Sequence, residues 1–147
     1  MPVATPGSRD MTGVTHLPKL LAELEPSLHP SKFVFCSLPN ATLASVCHLD
    51  PICTFQESEG LTVVVPEATS ANHSVDSSPP FACITITINS SLEAVGLTAA
   101  MAKALAEVGI SANVVAAYHH DHVFVPAGRA EDAMAALLAL QHRSKFL

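Results

Sequence analysis

The residues best suited to chemistry form one run in the second half of the chain, Tyr-His-His-Asp-His at positions 118–122. Histidine titrates near neutral pH and can act as an acid or a base, and a carboxylate can hold an ammonium group. Successive side chains of a strand or tight turn point in opposite directions, so these groups cannot all converge on one metal ion. The run therefore predicts a ligand-contacting turn without a metal. A polar hairpin turn closed by Asp121 is the simpler alternative.

A second candidate is the segment Ser90–Leu97, which links a predicted strand to a predicted helix. The start of a helix offers free backbone N–H groups and a positive dipole end, both of which suit a carboxylate. Gly96 would let ligand atoms approach the backbone. Ser90 and Glu93 also have the S-x-x-E spacing of a capping box, which needs no ligand. Both interpretations stay open on the sequence alone.

The four cysteines, Cys36, Cys47, Cys53 and Cys83, contain no C-x-x-C pair. A zinc ribbon and a thioredoxin-type redox site are therefore not indicated. Cys36 and Cys83 fall within strand patterns, where a free cysteine behaves as a small apolar residue. No phosphate-binding loop, dinucleotide fingerprint or nucleophile elbow occurs, so we expect no cofactor and a binding protein rather than an enzyme.

Composition narrows the class of partner. The chain has 147 residues, 49% of them apolar and 14% charged, with a formal net charge of −6. An acidic chain without a basic run argues against nucleic acid, and no apolar run approaches the roughly 18 residues of a membrane span. Residues 1–16 lack the apolar core of a secretory signal. We therefore expect a cytoplasmic protein with reduced, unpaired thiols.

The second half of the chain has the clearest pattern. Isoleucine and threonine alternate within Ala82–Asn89, which predicts a strand with one buried face and one face that is polar or covered by a partner. Apolar spacing over Leu97–Val108 predicts a helix that ends at Gly109. Two strands and a last helix are predicted over Ile110–Tyr118, His122–Val125 and Ala130–Leu140, the last with Ala133, Met134, Leu137 and Leu138 inward. The order β-α-β-β-α is typical of ferredoxin-like α+β folds.

The first half has a weaker version of the same order. A helix over Leu17–Leu24 is stopped by Pro26 and Pro30. Strands are predicted over Lys32–Leu38, Ile52–Glu57 and Leu61–Val65, the last two as a hairpin. Residues 1–15 are predicted to be a flexible tail, and the polar residues 67–80, which end in Pro-Pro, a flexible connector.

The stretch from Ile84 to Leu137, with its segments VGL, ALAEVGIS, NVVAAYHHDH and FVP, resembles the ACT domain family. It looks like the small bacterial-type ACT proteins, and KFVFCSLP and EGLTVVVPE resemble their first part. The resemblance implies a tandem of βαββαβ units, a degenerate one at 16–66 and a second at 81–147, paired as a homodimer. Arginine-sensing ACT regulators look like distant relatives.

The resemblance also implies a ligand site, because ACT domains generally bind amino acids or similar molecules at the first β-to-α loop and a neighbouring strand. Carried onto this chain, the positions are Ser91, Glu93, Val95, Gly96, Leu97, Asn113, Tyr118, His119 and Asp121. We therefore expect a regulatory protein that binds an amino acid or an analogue. The alternatives are a small biosynthetic enzyme that uses Tyr118, His119, His120 and Asp121 as acids or bases, and a pure interaction module.

Overall fold

One antiparallel sheet of six strands forms the centre of the protein in the computed structural model, which describes residues 16–73 and 75–147. The strands are β1 (Pro26–Leu38), β2 (Cys53–Glu57), β3 (Gly60–Pro66), β4 (Phe81–Ile86), β5 (Asn113–Ala116) and β6 (Asp121–Pro126). Their order across the sheet is β2-β3-β1-β4-β6-β5. The first strand of each half, β1 or β4, therefore lies at the centre, and each hairpin lies at an edge. The predicted tail at 1–15 is outside the described residues.

The helices accompany the strands in the same order in both halves. They are α1 (Leu17–Ala22), α2 (Leu43–Val46), α3 (Glu67–His73), α4 (Leu97–Glu107) and α5 (Ala130–Ser144). After α1, each half reads β-α-β-β-α, which confirms the predicted α+β class with two ferredoxin-like units. No helix in the described parts of the chain has the length and apolarity to cross a membrane.

All the helices pack on one face of the sheet, because the strands place alternate apolar side chains there. In β4, Ile84 and Ile86 are fully buried against α1, α4 and α5, as the alternation predicts. The main core of this half contains Leu20, Leu24, Met101, Leu105, Val123 and Leu137. A smaller core in the first half contains Val34, Val46, Leu61, Val63 and Val65.

The pairing of strands shows that the two halves are internal repeats. Phe33 of β1 lies opposite Pro66, and Phe81 of β4 lies opposite Pro126. When these pairs are aligned, LTVVVP at 61–66 matches DHVFVP at 121–126. Leu61, which is buried in the first half, is thus the counterpart of Asp121 in the second.

Each half of the protein receives a fourth strand from the other half. Pro26–Leu28, the start of β1, pairs with β4 and acts as a fourth strand for the second half. On the other side, Ser77 bridges Cys36 and the Ser78 N–H donates to the Phe35 carbonyl, 2.9 Å away, so this segment acts as the fourth strand of the first half. Helix α1 belongs to this exchange, because Leu20, Leu21 and Leu24 are buried in the core of the second half.

Several element boundaries differ from the prediction. β1 begins at Pro26 rather than at Lys32. It accommodates Pro30 because its register shifts between Leu28 and Lys32, so the missing N–H of Pro30 interrupts no regular pairing. β4 ends at Ile86 rather than at Asn89, and β5 covers only four residues.

Two helix predictions also need correction. Residues 67–73, expected within an irregular connector, form α3, which begins directly after Pro66 with Glu67 in its first turn. α5 continues to Ser144, and its buried stripe includes Leu137 and Leu140. Leu138 was predicted to face inward, but 49% of it is exposed, since the helical period carries the stripe from Leu137 to Leu140 instead.

Because α1 packs in the core of the second half, we expect the stability of that half to depend on the side chains of α1. We expect Leu20→Ala to lower the free energy of unfolding by about 2–5 kcal/mol, because it removes a fully buried side chain. Leu43→Ala is the matched control, since this leucine is 63% exposed on α2, and its effect should stay within about 0.5 kcal/mol. Urea unfolding followed by circular dichroism measures both. Equal effects of the two changes would contradict this role of α1.

Candidate functional site

The connection between β4 and α4 forms one wall of the candidate site. α4 begins at Leu97, and Gly96 is its N-cap, with φ +94° and no side chain capping the helix. Of the two interpretations left open for Ser90 and Glu93, the capping box is therefore wrong, because both residues lie too far before the helix. The Ser91 hydroxyl instead accepts a hydrogen bond from the Glu93 N–H, at 3.1 Å, within a tight turn. The free N–H groups at the start of α4 thus remain available.

The backbone conformation and the packing around Gly96 both favour a glycine at this position. Its positive φ favours glycine, and a Cβ at this position would lie 3.0 Å from Cδ2 of Leu17 on α1. The contact with Leu17 therefore accounts for a glycine here, and the expectation that Gly96 gives room for a ligand stays a prediction. A bulky substitution here would disturb the fold as well as any ligand.

Asp121 forms the opposite wall. It is the first residue of β6, and it pairs with Ile86 and Ala116. Its side chain points to the helix-covered face, because Ile86 does, and only 6% of the residue is exposed. Within residues 16–73 and 75–147, no group donates a hydrogen bond to its carboxylate, and no buried side-chain oxygen is left without a partner, so the carboxylate oxygens lie at the surface of the cavity. Burial of the rest of the residue makes ionisation of the carboxylate costly to the folded protein.

A small cavity of about 50 Å³ lies between these two walls. It is lined by Ser90, Ser91, Leu92, Ala94, Leu97, Thr98, Ala116 and Asp121. Of the residues predicted for the site, the structure therefore brings Ser91, Leu97 and Asp121 together.

The remaining predicted residues lie outside this cavity. Glu93 and Val95 project from the connection, and Val95 is 84% exposed. Asn113 pairs with Phe124 and so lies on the face of the sheet without helices. Tyr118 and His119 are exposed, and their rings contact each other edge to face at 4.8 Å.

The hairpin turn differs from the one predicted. A bond of 3.0 Å from the Ala117 N–H to the His120 carbonyl closes it, so Asp121 follows the turn instead of closing it. His120 Nδ1 lies 3.4 Å from the Ile88 carbonyl, which links the turn to the segment that follows β4. His122 points to the other face of the sheet, with Nδ1 3.0 Å from Thr85 Oγ1. In the described parts of the chain, no three His, Cys, Asp or Glu side chains could share a metal ion.

Burial dominates the electrostatics of the site. It raises the pKa of Asp121, although charge on His122 and His120 works in the opposite direction. Burial also lowers the pKa of His122, and His120 adds to this effect. The site therefore holds a carboxylate that would gain from a cationic partner.

The cysteines stand apart from this site. All four have free thiols, and Cys36 and Cys83 are buried. Burial raises the pKa of Cys83 to about 11, so its thiol is protonated and unreactive at neutral pH.

Sequence comparison identifies the family. ACT domain models match residues 12–82 and residues 78–139. The protein belongs to the ACT domain family, as a tandem of two domains. The matches cover most of the chain, so the resemblance seen in its segments is confirmed. No curated protein sequence matches this ACT protein significantly.

Solved structures agree with the tandem ACT assignment. A Vibrio cholerae protein of unknown function, VC0802, described as a possible transport protein, is 45% identical over 88% of this chain and 99% of its own, with a TM-score of 0.79. Protein Atu0741 from Agrobacterium tumefaciens is 14% identical over 79% of this chain and 87% of its own, with a TM-score of 0.64. The regulatory subunit of aspartate kinase from Thermus thermophilus is 14% identical over 78% of this chain and 95% of its own, with a TM-score of 0.56. The last two share the fold alone.

The cavity also contains Ser90, Leu92 and Ala94, which lie in the candidate segment Ser90–Leu97 but were not named as ligand contacts, and Thr98 and Ala116, which the sequence analysis did not select. Ala116 could have been found, because a hairpin closed at 117–120 places it opposite Asp121. Thr98 could also have been found, because the apolar pattern predicted that α4 begins at Leu97, which places Thr98 in the first turn of the helix.

The two positive-φ glycines that flank α4 give a matched test of the Gly96 contact. Gly109 has φ +73° and no atom within 4 Å of a Cβ, so Gly109→Ala should cost about 1 kcal/mol from backbone strain alone. Gly96→Ala should cost about 2 kcal/mol, because contact with Leu17 adds to the strain. Thermal unfolding of both variants measures the difference. If Gly96→Ala is the milder change, the contact with Leu17 does not constrain this position.

Proposed function

We propose that this ACT protein is a cytoplasmic homodimer that binds an amino acid or an analogue and regulates another protein. The observation that carries the proposal is the buried carboxylate of Asp121, which faces a cavity at the uncapped start of α4. The family supports a small-molecule-binding, regulatory role, and the residues of the cavity support the choice of an amino acid.

The internal repeat supports a functional reason for this carboxylate. Its counterpart in the first half is Leu61, which is 1% exposed and packs in an apolar core. The fold thus accepts an apolar side chain at this position. A residue that destabilises the fold where a stabilising alternative exists is typical of a functional site.

The two walls suit the two charges of an amino acid. The first N–H groups of α4 can receive a carboxylate, which the positive end of the helix dipole also attracts. Asp121 can receive the ammonium group through a charge-assisted hydrogen bond. The cavity, at about 50 Å³, is larger than the roughly 30 Å³ that one water molecule occupies in liquid water, so it can hold an ammonium group. The rest of the ligand would therefore lie outward from the cavity, near Leu92, which is exposed.

The enzymatic alternative has less support. Asp121 and His122 point to opposite faces of β6, and Tyr118 and His119 are exposed. These groups do not surround one place where a substrate atom could react.

Ligand binding by Asp121 variants tests the proposal. A thermal-shift screen of the amino acids, followed by titration calorimetry, should find a zwitterionic or basic amino acid that stabilises the wild type. Asp121→Asn should weaken its affinity at least about tenfold, because the charge partner is lost. Asp76→Asn, which changes an exposed carboxylate elsewhere, is the control and should leave affinity unchanged. Equal affinity of Asp121→Asn and wild type would place the site elsewhere.

The raised pKa of Asp121 gives a second, independent prediction for the ligand-free protein. Ionisation of Asp121 costs more in the folded state than in the unfolded state, so Asp121→Asn should be more stable than wild type at neutral pH. The advantage should be absent below the ordinary pKa of aspartate, where both states are protonated. It should grow as pH rises through the interval up to the raised pKa of the folded state.

Urea unfolding at a series of pH values measures this difference. Asp121→Leu, which copies the counterpart Leu61, should show the same gain at neutral pH and should also abolish binding. A loss of stability at neutral pH in Asp121→Asn would mean that the carboxylate has a structural partner.

A further inference from the structure

The helix-covered face of the first half contains a second, larger cavity. It has a volume of about 470 Å³ and lies between the connection from β1 to α2 and the end of α3. Its floor is the core of the first half, because the buried core residues Val46 and Leu49 line it. Its walls are partly buried apolar residues, namely Leu38, Ala41 and Val75. Ligand pockets typically have volumes of about 300–1,000 Å³ and mostly apolar walls.

The internal repeat explains why this space is open. In the second half, α1 packs against α4 and α5 and fills the corresponding place with leucines. The fourth strands of the two halves align at Leu28 and Ser77, whose partners in β4 and β1 are equivalent. Four residues earlier lie Leu24, which is fully buried, and His73, which is exposed. Within the described residues the first half has no counterpart of α1, so a cavity with a histidine replaces the leucines.

Two histidines and an asparagine supply the free polar groups of this cavity. His48 lies in the short helical turn that follows α2, and His73 lies at the end of α3. Their rings meet edge to face, with centroids 5.3 Å apart. Within residues 16–73 and 75–147, neither ring forms a hydrogen bond, and neither does the side-chain amide of Asn40. The hydroxyl of Ser45, by contrast, donates to the Thr42 carbonyl.

We propose that this cavity is a second small-molecule site, which takes a carboxylic acid with an apolar body and no ammonium group. The floor and walls receive the apolar body, in place of the leucines of α1. The ring N–H groups of His48 and His73 and the Asn40 amide donate to the carboxylate, and hydrogen bonds to an ionised acceptor are roughly twice as strong as neutral ones. An ammonium group finds no carboxylate among the described residues that line this cavity, whereas Asp121 offers one in the smaller cavity.

Titration with compounds that share one aromatic ring but differ in charge tests the chemistry. The probes are phenylacetate, phenethylamine and phenethyl alcohol, and binding is followed by amide chemical shifts in NMR spectra of the full chain. Phenylacetate should shift the signals of Ala41, Leu49 and Val75, with a dissociation constant of about 1 mM or tighter. Phenethyl alcohol should bind at least about tenfold more weakly, because it lacks the charge, and phenethylamine should leave these signals unchanged.

Side-chain variants test the polar groups. His48→Ala and His73→Ala should each weaken phenylacetate binding at least about tenfold, because each removes a donor to the carboxylate. Both side chains are exposed, so the fold should persist. His142→Ala, which removes an exposed imidazole from α5, is the matched control and should leave affinity unchanged. Asp121→Asn should also leave it unchanged, so this site and the one under the proposed function can fail separately.

Three outcomes would overturn the proposal. Unchanged signals around the cavity at about 10 mM phenylacetate would exclude the site. Equal binding of phenylacetate and phenethylamine, or an affinity that survives both histidine changes, would exclude recognition of a carboxylate. Stoichiometric zinc held through His48 and His73, with no response to phenylacetate, would make this a metal site instead.

Discussion

The antiparallel pairing of β1 with β4 is the interaction on which the rest of the structure depends. It joins the two hairpins into one sheet, and it gives each half a fourth strand from the other half. Because the fourth strand of the second half comes from Pro26–Leu28, the preceding helix α1 is placed over the second core. The N-terminal segment thus stabilises the half of the molecule that carries the candidate site.

The same contact network fixes the site. α1 lies against Gly96, the N-cap of α4, and the start of α4 provides one wall of the cavity. The other wall is β6, which pairs with β4. The distance between the two walls of the cavity is therefore set by the sheet and by the packing of α4 on it, both of which are rigid elements. Binding sites placed on such elements keep their geometry better than sites built on loops alone.

Local sequence patterns predicted much of the fold, because each such pattern reflects one physical preference of a few neighbouring residues. The alternation in β4, the spacing of Leu97, Met101 and Leu105, and Gly109 after α4 each follow from burial or backbone conformation within a few residues. The exchange of fourth strands could not be predicted in this way, because it depends on contacts between distant segments. It also explains why β1 extends past Pro30, where a local rule would end a strand.

The candidate site shows the same difference between what local patterns predict and what contacts between distant segments decide. The polar run at 118–122 suggested a turn with several ligand-contacting groups, but only Asp121 enters the cavity, because the turn ends one residue earlier than expected. Aligning LTVVVP with DHVFVP would have placed Asp121 at an inward strand position from the sequence alone. Asn113 was assigned from family position, and strand alternation then directs it to the opposite face.

The first half shows that the ACT fold does not by itself place a carboxylate at the position of Asp121. Its helix α2 has four residues and is closed by a complete capping box, in which Thr42 and Ser45 each accept the other's N–H. Leu61 fills the position of Asp121, and a Cβ on Gly60 would lie 2.5 Å from the Cα of Pro39. A cavity of about 470 Å³ does lie beside α2, but Leu61 does not line it. The second half differs at each of these points, with a longer, uncapped helix, a buried carboxylate and a cavity between them. Two copies of one fold in a single chain therefore differ at the equivalent position: the first half carries Leu61 in an apolar core, and the second carries Asp121 beside a cavity at the start of α4.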